Sequence, residues 1–138
     1  MSASAPAPRY TETMRPRLVI LESPFNGPCG EHRRHHPSCR QCRTVRVYCK
    51  LYLDRAMRDS IARGEAPFAS HGLYPLFLDE DTPEERETGM RLGHAWLGGC
   101  EAVVVYADGP GGITAGMDER IKMARAMNLP VDVRRLKR

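Results

Sequence analysis

The chain predicts a single α/β domain on a short parallel sheet. Three observations lead there. Leu18-Val19-Ile20-Leu21 and Ala102 to Tyr106 are uninterrupted apolar runs, the pattern of strands buried on both faces. The stretches near Val45 to Arg63 and Gly116 to Met127 carry apolar residues at three- and four-residue spacing, as helices packed on a sheet do. Strands and helices alternate, which calls for right-handed crossovers and helices on both faces.

Taken in order, Met1 to Arg15 is rich in Ala, Pro, Ser and Thr and is expected to be a disordered tail, leaving residues 16–138 as one domain. The first strand ends in loop chemistry at Ser23 to Pro28. A basic Cys/His insertion occupies residues 29–43 without periodicity. The first helix follows, Val45 to Arg63, with Tyr48, Leu51, Tyr52, Ala56, Met57 and Ile61 on its apolar stripe and Gly64 as its stop. Ala66 to Ser70 is the second strand and His71 to Asp81 a connecting loop. Thr82-Pro83-Glu84-Glu85 opens the second helix, with a capping threonine, proline at the first helical position and carboxylates in the first turn. That helix runs to about Leu97, with Trp96 as a core residue, and stops at Gly98-Gly99. The third helix sets Met117, Ile121, Ala124 and Met127 on one face, and Leu129 to Val133 is the last strand.

Composition narrows the class. Hydrophobic content of 41% and charged content of 28% suit a soluble globular domain. No apolar run approaches the ~20 residues that span a bilayer, so a cytoplasmic protein with no membrane partner is expected. Five cysteines with no secretory signal argue against a disulfide framework. The net charge of +4 is concentrated: Arg33, Arg34, Arg40, Arg43, Arg46 and Lys50 stand together without an acidic residue among them. Such a patch either attracts phosphate or is a solvated face. Nucleic acid is the least favoured partner, because aromatic stacking residues are sparse there.

A 2-1-3-4 strand order, flavodoxin-like, places the switch point between strands one and three. The loops Ser23 to Gly27 and Asp108 to Gly116 then face each other across one crevice. Asp108 ends a buried strand, where it either addresses ligand hydroxyls or forms an Asp-Gly turn. Ser23 and Asn26 can bond a phosphate or sugar, and Gly27, Gly109, Gly112 and Gly116 allow close backbone approach, although turn chemistry explains several of them equally well. Glu119 is either a stabiliser of positive charge in a substrate or a first-turn carboxylate complementing the helix dipole.

Cys29 and His32 form one short pair, Cys39 and Cys42 another, and tetrahedral zinc takes ligands in such pairs. Structural zinc on these four is the cofactor expectation, with His35, His36 or Cys49 as substitutes; the alternative is a loop of reduced thiols. No cofactor is expected for the chemistry itself. No P-loop, zinc-protease pair or dinucleotide fingerprint is present in the sequence.

Glu22-Ser23-Pro24-Phe25, Ala56 to Ser60, Gly64 to His71, Asp81 to Glu87 and Gly116-Met117 together resemble an uncharacterised bacterial and phage family. That family is similar to the nucleoside 2-deoxyribosyltransferases and deoxynucleotide N-hydrolases. The resemblance covers about Leu18 to Leu136 apart from the insertion. It implies a nucleoside or nucleotide ligand, cleavage or exchange of an N-glycosidic bond, and a homo-oligomer. It also implies a carboxylate on the first turn of the last helix, acting at the anomeric carbon. Glu119 and Asp108 are the candidates for carboxylate roles. The position matching that carboxylate is nevertheless Arg120, one residue or ~100° around the helix from Glu119. A non-catalytic nucleotide-binding or sensing module is therefore the alternative.

Overall fold

The computed structural model describes residues 15–26, 29–32 and 34–137. The expected tail lies outside these, except for Arg15, whose guanidinium bonds Glu101 at 2.9 Å. The elements are β1 (Arg17–Glu22), α1 (Arg40–Ala62), β2 (Glu65–Phe68), α2 (Ser70–Leu73), α3 (Pro83–Ala95), β3 (Ala102–Tyr106), α4 (Ala115–Ala126) and β4 (Val131–Arg134). All four strands are parallel in the order β2-β1-β3-β4, as expected, and the architecture is consistent with a flavodoxin-like fold. Ile20 of β1 sits opposite Phe68 on one side and Val103 on the other.

Alternation along the two central strands divides the core into two layers. Val19, Leu21, Val104 and Tyr106 pack with Tyr52, Leu53 and Ala56 of α1. Ile20, Val103 and Val105 pack with Met117, Ile121 and Ala124 of α4 and with Leu97. This two-sided burial explains why neither strand shows a polar face in sequence. Gly64 takes the positive φ of 83° that ends α1, as its place after the apolar stripe predicts.

Four expectations are corrected. Helix α1 begins at Arg40 rather than Val45, so the second cysteine pair lies at its first turn. Its inward face is Cys49, Tyr52, Leu53, Ala56 and Ser60, while Tyr48, Leu51 and Ile61 are exposed. The small inward residues, a cysteine and a serine among them, disguise the phase of the stripe. The stretch His71 to Asp81 is not plain loop; it holds most of α2 and a 3₁₀ turn at Tyr74–Leu76. Trp96 is not a core residue but 49% exposed. It lies on Phe68 at 4.5 Å and donates its indole N–H to the Tyr74 hydroxyl at 2.9 Å. Helix α3 instead buries Gly89 and Gly93, and this close approach leaves no room for a large side chain.

Candidate functional site

A cleft of about 600 Å³ opens at the carboxyl ends of β1 and β3, where the strand order reverses. Its floor is Glu22 and Ser23 at the exit of β1, and its far wall is the segment Ile113 to Met117 that opens α4. His71, Met90 and Arg120 line its buried side, Asn26 and His35 stand in its wall, and the exposed Arg34 and Arg86 stand at the mouth. A volume of this size suits a nucleotide-sized ligand.

The buried side of the cleft is a connected polar network. Arg120 is buried on the stripe it shares with Met117, Ile121 and Ala124, since residues three and four apart lie on one helical face. Room for it comes from α3: a Cβ on Gly93 would stand 2.7 Å from both Arg120 Nη2 and Ser70 Oγ. Arg120 Nε donates to His94 Nδ1 at 2.9 Å. His94 therefore carries any single proton on Nε2, which lies 3.8 Å from Glu119 Oε1. Arg120 Nη1 stands 3.7 Å from Glu22 Oε2 and has no hydrogen-bond partner among the described residues. An orphaned buried guanidinium nitrogen beside a cleft is a donor waiting for an acceptor.

Glu22 is buried, and this desolvation raises its pKa to about 7 against the opposing pull of Arg120. It is thus divided between acid and base forms near neutral pH, as a group that moves protons must be. Beside it, Ser23 Oγ and His71 Nε2 share a hydrogen bond of 2.7 Å. Burial, helped by Arg120, lowers His71 to about 4, so the imidazole is neutral at neutral pH.

Of the residues expected from sequence, Ser23, Asn26 and Gly116 line the cleft. Gly27 lies outside the described residues. Gly112 holds a φ of +62° in the turn before α4. Glu119 is 57% exposed at its side chain and lies outside the cleft lining.

Asp108 and Gly109 line a different hollow, with Tyr52, Pro110, Leu136 and Lys137. One Asp108 oxygen accepts from the Tyr52 hydroxyl at 2.5 Å and the Leu136 amide at 3.0 Å, and the other from the Lys137 amide at 2.8 Å. Desolvation pushes Asp108 up, but Tyr52 and these amides outweigh it and bring the pKa to about 2. Gly109 has a packing reason: a Cβ there would meet the Tyr52 ring at 2.6 Å. The structure thus does not bring Asp108 and Glu119 together with Ser23. The chemistry-bearing residues that sequence reasoning missed are Glu22, His71 and Arg120. The i, i+3 relation of Arg120 to Met117 was the available signal.

The Cys/His expectation is met in geometry. One ligand atom from each of Cys29, His32, Cys39 and Cys42 lies within 4.8 Å of all the others. Cys29 Sγ is 3.5 Å from His32 Nδ1 and 4.0 Å from Cys39 Sγ, and Cys42 Sγ is 3.7 Å from His32 Nδ1. Zinc bonds of about 2.0 to 2.3 Å at tetrahedral angles set ligand atoms roughly 3.3 to 3.8 Å apart, so the four could hold a structural metal such as zinc. The Glu31 amide first, then the His32 amide and the Cys42 and His32 side chains, bring the Cys29 thiol to about 6 against desolvation. This favours the thiolate that a metal takes. All five cysteines are free of disulfides.

Among the described residues, no helix is long and apolar enough to cross a membrane. No curated protein matches the chain. A family model described as "Domain of unknown function (DUF7768)" matches residues 17–134, from the first residue of β1 to the last of β4, and the chain belongs to that family.

Proposed function

We propose that the cleft binds a nucleoside 5′-phosphate and that Glu22 is the group that handles the proton at its N-glycosidic bond. The observation carrying this reading is the pairing, in one nucleotide-sized cleft, of a buried carboxyl poised near neutral pH with a set of anion-seeking donors. Those donors are Arg34 and Arg86 at the mouth, the orphaned Arg120 Nη1 on the buried side and the N-terminus of α4. Protonated Glu22 can deliver a proton to a departing base; ionised Glu22 can stabilise the oxocarbenium-like charge left on the sugar. By the resemblance, Arg120 takes the position of the carboxylate in those transferases and hydrolases, and Glu119 lies outside the cleft lining. In this reading Glu22 takes over the acidic role, water is the acceptor, and the resemblance to nucleoside 2-deoxyribosyltransferases is one of scaffold and ligand. The same resemblance is the support for a homo-oligomer, which light scattering on purified protein tests.

The Cys29/His32/Cys39/Cys42 cluster we take as a structural zinc site, on its donor set and the mutual closeness of its four ligand atoms. Metal analysis after dialysis against a weak chelator is expected to give about one zinc per chain, and none would remove the site.

The functional test is incubation with each deoxynucleoside 5′-monophosphate, with free base followed by chromatography. Base release that Glu22→Gln abolishes and Glu119→Gln leaves intact is the expected result. One observation favours a second reading, a nucleotide sensor without catalysis: the Glu22–Arg120 ion pair, which can hold the carboxyl in a purely structural role. Saturable nucleotide binding with no base released would establish that reading instead.

A further inference from the structure

The insertion does more than add a metal cluster to the surface. Arg34 and His35 lie between His32 and Cys39, inside the loop that the four ligands close, and both line the cleft. The His35 side chain is only 6% exposed, yet neither ring nitrogen has a hydrogen-bond partner among the described residues. Asp81 Oδ1 stands 3.7 Å from its Nε2, beyond hydrogen-bonding reach. A buried imidazole with both nitrogens unmatched, set in a cleft wall, marks a place where a ligand's polar atoms belong.

The loop meets the rest of the cleft where His35 approaches Asp81, and Arg46 holds that Asp81 in place. Arg46 Nε donates to Asn26 Oδ1 at 2.7 Å, its Nη2 to Asp81 Oδ1 at 3.0 Å, and its guanidinium lies over the Phe25 ring at 4.9 Å. One side chain of α1 thus ties the exit of β1 to the segment ahead of α3, where His35 also approaches Asp81. Among the described residues, the stretch from Cys29 to Cys39 has no helix or strand of its own. Holding Arg34 and His35 in place therefore costs chain entropy that few local bonds offset, and closing the loop through a metal removes much of that cost.

We propose that zinc at Cys29, His32, Cys39 and Cys42 orders one wall of the cleft, presenting Arg34 and His35 to the phosphate of the ligand, so that zinc and nucleotide bind with positive linkage. This rests on the two readings above, the nucleotide cleft and the zinc site. The coupling is reciprocal: nucleotide must tighten zinc by the factor by which zinc tightens nucleotide.

The experiment is calorimetric titration of zinc-loaded and chelator-stripped full-length protein with thymidine 5′-monophosphate and with inorganic phosphate. Zinc affinity is measured in parallel by competition with a chromophoric chelator. About tenfold tighter nucleotide binding with zinc is expected, matched by about tenfold tighter zinc with nucleotide. Arg34→Ala and His35→Ala should keep zinc affinity without nucleotide and lose most of the linkage. Cys39→Ser should lose zinc and bind nucleotide as the stripped protein does; the Arg34 and His35 variants stand in for it should it not fold. Equal nucleotide affinity with and without zinc overturns the linkage while leaving the cleft reading intact. No nucleotide binding in either form overturns the cleft reading and the linkage with it. No zinc uptake overturns the linkage and the zinc site alone. Tightening that Arg34→Ala and His35→Ala leave untouched would show that zinc acts elsewhere, and also overturns the proposal.

Discussion

Glu22 and Asp108 are two carboxylates at the carboxyl edge of one sheet, at the exits of adjacent strands, and their settings are opposite. Asp108 accepts from a hydroxyl and two backbone amides and falls to about 2. Glu22 faces a guanidinium at 3.7 Å, beyond hydrogen-bonding reach, and desolvation lifts it to about 7. The first is spent on structure: it fastens residues 136 and 137 and the α1 tyrosine to the end of β3. The second is held short of partners beside an open cleft. What a carboxylate can do at a strand end depends on how many of its acceptor sites the fold has already filled.

The sharpest way to break this contrast is to remove the cation from Glu22. Arg120→Met should cost about 3 kcal/mol at pH 8, where Glu22 is left as an uncompensated buried charge, and less at pH 5, where it takes up a proton. Urea midpoints at the two pH values give the difference. Next come the opposed titrations. Glu22 has a folded value of about 7, above the ordinary carboxyl value of 4.5, so the stability it contributes is complete below about pH 4.5 and lost as pH rises through 7. His71 has a folded value of about 4, below the ordinary imidazole value of 6.5, so its contribution is present above 6.5 and lost as pH falls through 4. Between these limits the two slopes oppose each other. Glu22→Gln should unmask stability that rises with pH, and His71→Gln stability that falls, by up to about 3 kcal/mol for the Glu22 slope. Parallel slopes in the two variants would contradict the assignment.

Asp108→Ala should cost about 2 kcal/mol, from two stranded amides and a stranded hydroxyl, and leave nucleotide affinity unchanged. A loss of affinity without loss of stability would restore Asp108 to the ligand site. Glu119→Gln should be the mildest change, within about 0.5 kcal/mol of wild type, as exposed positions usually are.

The strands, their order and the place of the cleft were legible because apolar runs, glycine stops and alternation are local signals. Which side of the sheet each strand exit serves was not. Glu22 continues the face of Ile20, toward α4, whereas Asp108 continues that of Val104 and Tyr106, toward α1. Residues two apart share a face, so the phase of each strand decides the matter. In Val103-Val104-Val105 and Leu18 to Leu21 both faces are apolar, and the phase leaves no mark in composition. Glu119 was placed at the site for a related reason: counted from the true start of α4 at Ala115, the first-turn acid is Asp118, and Glu119 lies past that turn and off the inward stripe. The Cys/His cluster was readable because metal-ligand spacing is a chain-local property. The role of Gly93 was not, since the side chain it accommodates lies on another helix.

That glycine sets a limit on redesign. Because Arg120 occupies the space beside a hydrogen on α3, converting position 120 to a shorter acid would leave a void as well as an altered charge. A variant library meant to move the acidic group onto α4 would need to vary positions 93 and 120 together, with position 22 changed to a neutral partner.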